Sequence, residues 1–589
     1  ATALAGNTAI GHQSGAAITT GVENIAIGYQ ALLASATGSY NTVVGYKSGT
    51  AIIDGTRNTA VGGYALNTDD YGAGNTAIGY VALYSQDTSG TSQVYSGNTA
   101  LGAESGYYNV TGVNNTYLGY RAGKGVSAKS HSGCIYIGRD AGLTAYTGAY
   151  NIAIGYQAMD GLPTDDDTVG GSAENIFIGK DAGGGSWVTA ASHYNIGIGN
   201  YVLDAAMHGA SSNTAVGNAS LSSVTTGHSN AALGASSGNG INSGAGNTTI
   251  GASAGANITS TNYNTAVGYQ SMTTAAAGAG NTAVGYESLK AVQSGGTYNV
   301  AVGYQAGLAI TTGDGNVFIG NLCGDAATDI DSTVAIGYLA LSSAHTQDYT
   351  VAIGGAAGEN LTSGQYNTLI GGEAAKDMTT GDKNTVLGYK AGYGIAAGNN
   401  PDGNTFIGMQ AGNSVTTGSY NTMIGIDSDT NAVGDSNSTA VGNGATGTGS
   451  NTVSLGNTSI TDIEGQVSFG TYSDERIKKS IADTDIGLDF IKELKPRKFK
   501  RVCPKDYPEA IQTKYDKRAP ELENPDEQID GLIAQEVKES IDSLGISFSG
   551  WSEGDDTKQK LQYATFVMPL IKAVQELSAK VEELEAKLK

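Results

Sequence analysis

Asn24-Ile25-Ala26-Ile27-Gly28 is followed 17 residues later by Asn41-Thr42-Val43-Val44-Gly45, and after the same interval by Asn58-Thr59-Ala60-Val61-Gly62. Each pentad reads as a short strand closed by glycine. Alternation of period two places Ile25 and Ile27 on one face and Ala26 on the other, and glycine after the strand suits a turn that needs positive φ. The pattern recurs from Gly11 to Gly456, mostly at about 17 residues, which is too short for a helical hairpin repeat or a propeller blade and right for one coil of a β-solenoid. Roughly 26 coils at about 4.8 Å each would make a rod on the order of 120 Å long.

Composition agrees with an array. The 589 residues include 88 Gly, 8 Pro and 2 Trp, and only 14% are charged, well below the roughly 25% of an ordinary globular domain. Glycine shows no period of three, which excludes collagen, and the regular Ile and Val exclude plain disorder. Of the 31 basic and 54 acidic residues, 20 and 24 lie from Ser473 onward, leaving 11 and 30 for residues 1–472. Such a body repels polyanions, so no nucleic-acid partner is expected, whereas a neutral glycan or cationic receptor remains open. Cys134, Cys323 and Cys503 are odd in number and far apart, and read as packing residues rather than a disulfide framework. No apolar run is long enough to cross a membrane as a helix, no secretory signal is visible, and the chain begins at Ala1 rather than Met. The six His residues lack metal-ligand spacing and the Gly-rich runs lack a GK[ST] ending, so no cofactor or metal is expected.

The alternation predicts that Ile/Val/Thr columns are buried inside the stacked coils, that the leading Asn residues form ladders, and that chains pack together through the Ala and Gly columns. The units resemble the head repeats of trimeric autotransporter adhesins, whose Asn/Ser-x-Ala-Ile-Gly motif builds a trimeric β-roll. The resemblance spans most of residues 1–460, although the period there is shorter and only Gly442 to Gly456 matches it closely. It implies an all-β, trimeric β-solenoid or β-roll.

Longer intervals force residues out of the coil as loops, where binding tends to sit. The candidates are Tyr84 to Gly97 with Gln93 and Tyr95, Gly161 to Glu174 with Asp165, Asp166 and Asp167, Gly183 to Tyr194 with Trp187 and His193, and Ala396 to Gly403. An exposed Trp187 would offer a stacking face to a sugar, and the alternative is a Trp covering a neighbouring coil. The three aspartates fit a calcium loop less well than a solvated acidic loop.

At Ser473-Asp474-Glu475-Arg476-Ile477-Lys478 the chain changes character, dividing a repeat region (1–470) from a small α+β region (471–589). That region reads as a helix from about Ile486 to Leu494, a strand at Arg497 to Val502, a Pro-rich stretch between Pro504 and Pro525, Ile529 to Glu536 leading into a helix, and a final helix over 564–589. In the last, Val567, Leu570, Val574, Leu577, Val581, Leu584 and Leu588 follow the spacing of a coiled-coil seam.

Five blocks in order, Ser473-Asp474-x-Arg476-x-Lys478, Leu494-Lys495-Pro496-Arg497-x-Phe499, Gly531 to Val537, Leu561-x-Tyr563 and Leu570 to Leu577, resemble the C-terminal intramolecular chaperone of phage tail spikes and fibres, an auto-processing serine peptidase family. The resemblance implies cleavage between Tyr472 and Ser473, with Ser473 as nucleophile, Lys478 as base, and Asp474 and Arg476 as supports. It further implies a homotrimeric virion tail fibre, made in the host cytoplasm, joined to a base plate or upstream fibre segment and adhering to a host surface receptor. The alternatives are a glycan-degrading spike, which needs paired carboxylates, and a bacterial trimeric adhesin, which needs a membrane anchor. An ice-binding solenoid would rest on Thr8, Thr59 and Thr76, residues equally at home in a strand.

Overall fold

The computed structural model describes residues 6–589 apart from 89, 162–170, 188–189, 275–277, 344–345, 347, 396–397, 400, 461, 467–469, 471, 513–521, 523 and 555–556. Two compact units divide the chain, Ala1–Tyr349 and Thr350–Lys589.

The first unit is a β-solenoid. Each coil contributes one three-residue strand, and successive strands pair parallel and in register, as Ile25–Ile27 does with Thr42–Val44 and that strand with Thr59–Val61. The glycine closing each strand takes positive φ, +132° at Gly28 and +141° at Gly45. It is also stacked so closely that a Cβ on Gly28 would lie 2.4 Å from the carbonyl oxygen of Gly45. Only glycine satisfies both demands.

The leading asparagines form the expected ladder, and they form it in the interior. Asn24 Oδ1 accepts from the backbone N–H and the Nδ2 of Asn41 at 2.9 and 3.1 Å, while Asn24 Nδ2 donates to the Gly38 carbonyl at 2.9 Å. Every side chain thus satisfies backbone groups of the following coil that would otherwise be buried unpaired. Cys134 takes one rung, its N–H donating to Asn115 Oδ1 at 2.9 Å.

The strand faces are the reverse of the sequence expectation. Ala26, Val43, Ala60 and Ala77, the middle residues, are fully buried, whereas the flanking Ile25 and Ile27 point outward. The interior is about one side chain thick, so what it selects is volume rather than hydrophobicity. Several coils with a small middle residue also bury a large side chain six residues on, as Ala26 with Leu32 and Ala60 with Leu66. A large middle residue faces glycine: a Cβ on Gly183 would meet the Phe177 ring at 2.9 Å, and one on Gly123 the Tyr117 ring at 2.3 Å. The Ala columns therefore fill coils and are not free to join chains. The outward third position is Ile, Val or Leu in every one of the 26 such strands among the described residues, and none of them is buried.

The same coil continues in the second unit from Val351–Ile353 to Val453–Leu455, again parallel and in register. After it comes the α+β region, with helices α1 (Leu488–Glu493), α2 (Ala534–Leu544) and α3 (Val567–Leu588) and two antiparallel strand pairs, Arg497–Phe499 with Ile529–Gly531 and Trp551–Glu553 with Gln559–Leu561. Phe490, Val537, Ile541, Phe548 and Phe566 form its core, with the Phe490–Phe548 and Phe548–Phe566 ring centroids 5.0 and 4.7 Å apart. Pro569 lies in the first turn of α3, where it is tolerated. The seam residues Val567, Leu570, Val574, Leu577, Val581, Leu584 and Leu588 are all exposed in the single chain.

Candidate functional site

Glu475–Ile477 form one 3-10 turn, and Asp474 builds it. Its carboxylate accepts the Arg476 backbone N–H at 2.9 Å and the Arg476 guanidinium at 3.0 Å (Nε) and 2.6 Å (Nη2). The Arg476 side chain and then that N–H hold the Asp474 carboxyl below its ordinary value. The turn carries Lys478 back toward Ser473, where Lys478 Nζ donates to Ser473 Oγ at 2.7 Å. All of 472–480 is exposed, Tyr472 at 95%. A hydroxyl, an amine within proton-transfer distance and the Tyr472–Ser473 peptide bond thus share one accessible segment.

Three of the other quoted blocks meet one another, and the last, Leu570 to Leu577, meets the start of α1. The Arg497 guanidinium grips the Glu536 carboxylate through Nε and Nη2 at 3.0 and 2.7 Å. Tyr563 Oη accepts the Leu532 N–H at 2.8 Å, and Glu576 of α3 accepts the Leu488 N–H at the start of α1, also at 2.8 Å. Residues 473–546 match the chaperone of endosialidase family. The match begins at Ser473 itself and takes in α1 and α2. No curated protein and no solved structure matches the chain. The matched segment lies downstream of the solenoid strands, and contacts from Tyr563 and Glu576 tie it to the residues that follow it.

The loop candidates divide. Trp187 is only 3% exposed. It packs edge-on against Phe177, with centroids 5.7 Å apart, and donates from Nε1 to the Gly183 carbonyl at 3.0 Å. The large Phe177 and the glycine facing it leave a space in the coil that an indole fills, so Trp187 offers no sugar-stacking face. His193 is half-buried, and its Nδ1 accepts the Ala173 N–H at 3.1 Å. Tyr95 is 68% exposed on a short strand, Val94–Tyr95, that pairs with Gly72–Ala73 beside the main sheet. Asp165, Asp166 and Asp167 lie outside the described residues.

Cys134 and Cys323 are buried, and burial pushes the Cys323 thiol up to about 12, consistent with packing rather than redox work. In a neighbouring stretch of coils, burial first and the Asp181 charge second push the Asp160 carboxyl up to about 6. Tyrosines also recur at the position before several ladder residues, and their signal in the sequence is the Tyr-Asn dipeptide of 40–41, 150–151, 263–264 and 298–299.

Proposed function

We propose that this chain is the subunit of a homotrimeric phage tail fibre or spike that adheres to a host surface, and that its C-terminal region assembles the trimer and then cuts itself away before Ser473. The observation that carries this reading is the match to the chaperone of endosialidase family that starts at Ser473, directly downstream of a solenoid, with Lys478 Nζ 2.7 Å from Ser473 Oγ. Ser473 Oγ attacks the Tyr472 carbonyl carbon as the Lys478 amine takes the hydroxyl proton. The Tyr472–Ser473 amide breaks to an ester on Oγ and a free Ser473 amine, which takes up the proton. Water then hydrolyses the ester, leaving a Tyr472 carboxylate and restoring the Ser473 hydroxyl.

Two exposed apolar features support the trimer. The outward Ile/Val/Leu column is half-buried or exposed in every described strand of the main sheet, and the α3 seam has the spacing of a coiled coil. A region that associates early holds chains in register while slow, non-local strand pairing proceeds, and its removal makes the fibre kinetically stable. The test is intact mass and oligomeric state of the full chain beside Ser473→Ala: fragments ending at Tyr472 and starting at Ser473 in the first, full mass in the second. Two intact trimers would leave a retained cap and no protease.

A second reading, a spike that also degrades glycan, needs a carboxyl pair, for which Asp160, its carboxyl raised by burial and then by the Asp181 charge, is the candidate acid. Release of reducing ends from host polysaccharide, lost in Asp160→Asn, would support it.

A further inference from the structure

In coil after coil the residue preceding the Asn ladder has left-handed backbone. Glycine fills the position at Gly246, Gly280 and Gly315 and Asn at Asn114, as that conformation favours. Tyrosine fills it at Tyr40, Tyr150, Tyr194, Tyr263, Tyr298, Tyr349, Tyr366 and Tyr420, with φ between 55° and 63°, and Glu23, Arg57, Glu174 and Lys383 hold it in other coils. A bulky residue there costs about 1 kcal/mol or more in backbone energy, and these rings are more than half exposed. Tyr150, Tyr263, Tyr298 and Tyr420 lie over the glycine of the preceding coil and Tyr194 beside His193, and all five rings stay mostly open to solvent.

The column is most regular over five successive coils, which alternate Gly246, Tyr263, Gly280, Tyr298, Gly315. Each ring rests on the preceding glycine: a Cβ on Gly246 or Gly280 would lie 2.9 Å from Cδ1 of Tyr263 or Tyr298. Tyr263 and Tyr298 are 73% and 71% exposed. Two coils separate them, about 10 Å along the axis, close to one disaccharide of an extended glycan. Beside them stand Asn262, whose Oδ1 accepts the Ala245 N–H at 2.8 Å, and Asp314, which accepts from Thr297 Oγ1 at 2.7 Å. The flanking groups are neutral or acidic, and the body around them is strongly acidic, so an anionic polymer is disfavoured.

We infer that Tyr263 and Tyr298 form a binding site for a neutral polysaccharide, with pyranose rings against the tyrosines and hydroxyls reaching Asn262 and Asp314. The inference rests on the adhesive reading and names its ligand class.

The test uses the full-length protein, with cellohexaose, chitohexaose and maltohexaose as neutral probes in calorimetry, and the double variant Tyr263→Asn/Tyr298→Asn, since Asn accepts left-handed backbone. At least one probe should bind the wild-type chain and bind the variant about tenfold or more weakly, with the oligomeric state unchanged. Failure of all three to bind wild type, or equal binding by the variant, overturns the site. Dissociation of the variant into single chains overturns it too and assigns the column to contact between copies. Adsorption to a panel of bacterial strains separates the two levels. If wild type and variant adsorb equally, adhesion stands and this site falls. If wild type adsorbs to none, the adhesive reading itself falls.

Discussion

Lys478 Nζ donates a 2.7 Å hydrogen bond to Ser473 Oγ across a single 3-10 turn whose geometry is set by Asp474. Arg cannot be deprotonated in a protein, so Lys478→Arg should stop cleavage as fully as Ser473→Ala. Asp474→Ala should slow it on the order of tenfold or more by loosening the turn. Time-resolved intact mass of each variant checks both.

Asn230 Nδ2 donates to the Gly244 carbonyl at 2.8 Å, and its Oδ1 accepts the Asn247 N–H at 2.9 Å, all buried. Asn230→Ala strands both backbone groups and should cost roughly 2–4 kcal/mol. Asn230→Thr should cost less, because Thr350 holds the same rung elsewhere and its Oγ1 donates to the Gly364 carbonyl at 3.5 Å. Denaturant midpoints of the two variants would order them.

Gly45→Ala puts a methyl 2.4 Å from the Gly62 carbonyl oxygen at φ +141°, whereas a methyl on Gly355 meets nothing within 4 Å. The first should destabilise by about 4 kcal/mol or more and the second by less than about 0.5 kcal/mol. Hydrogen exchange would show protection lost across coils adjoining Gly45 and kept around Gly355.

His131 is buried against Tyr117, with Tyr117 Oη 2.7 Å from Nε2, and burial lowers its pKa to about 4 from an ordinary 6.5. Between those values the unfolded chain binds the proton and the folded chain does not. Its contribution is therefore complete above pH 6.5 and is lost as pH falls toward 4, on the order of 2–3 kcal/mol. Chemical denaturation between pH 7 and 4.5 should show a decline that His131→Gln reduces.

Leu577 and Leu584 are exposed on the α3 seam. Leu577→Asp/Leu584→Asp should abolish association of newly made chains and, with it, cleavage at Ser473. Light scattering and mass spectrometry report the two effects separately.

The solenoid was legible because its turn glycine and ladder asparagine are dictated by backbone needs that repeat in every coil, and Gly28 and Asn24 state those needs locally. The inside of the coil was not. Reading Ile25 and Ile27 as core assumed that the more apolar face turns inward, which fails in a narrow coil whose interior already holds Ala26 and Leu32. Trp187 misled for the same reason, since the space it occupies is created by Phe177 and Gly183 and appears only in three dimensions. The Ser473 and Lys478 pair was readable from spacing and motif, whereas the cap that Glu576 places on α1 joins residues 88 apart and left no local trace.

The ladder has a direction: Asn24 serves the coil that contains Asn41, and Asn41 the coil that contains Asn58. What each coil offers its successor is nearly identical from one to the next, so excising one whole coil rejoins matching halves, while excising part of one leaves rungs out of phase. Length in such a molecule is a digital quantity. Duplication or loss of a coil-sized stretch of gene would lengthen or shorten the reach in fixed steps and leave the repeating joint unaltered.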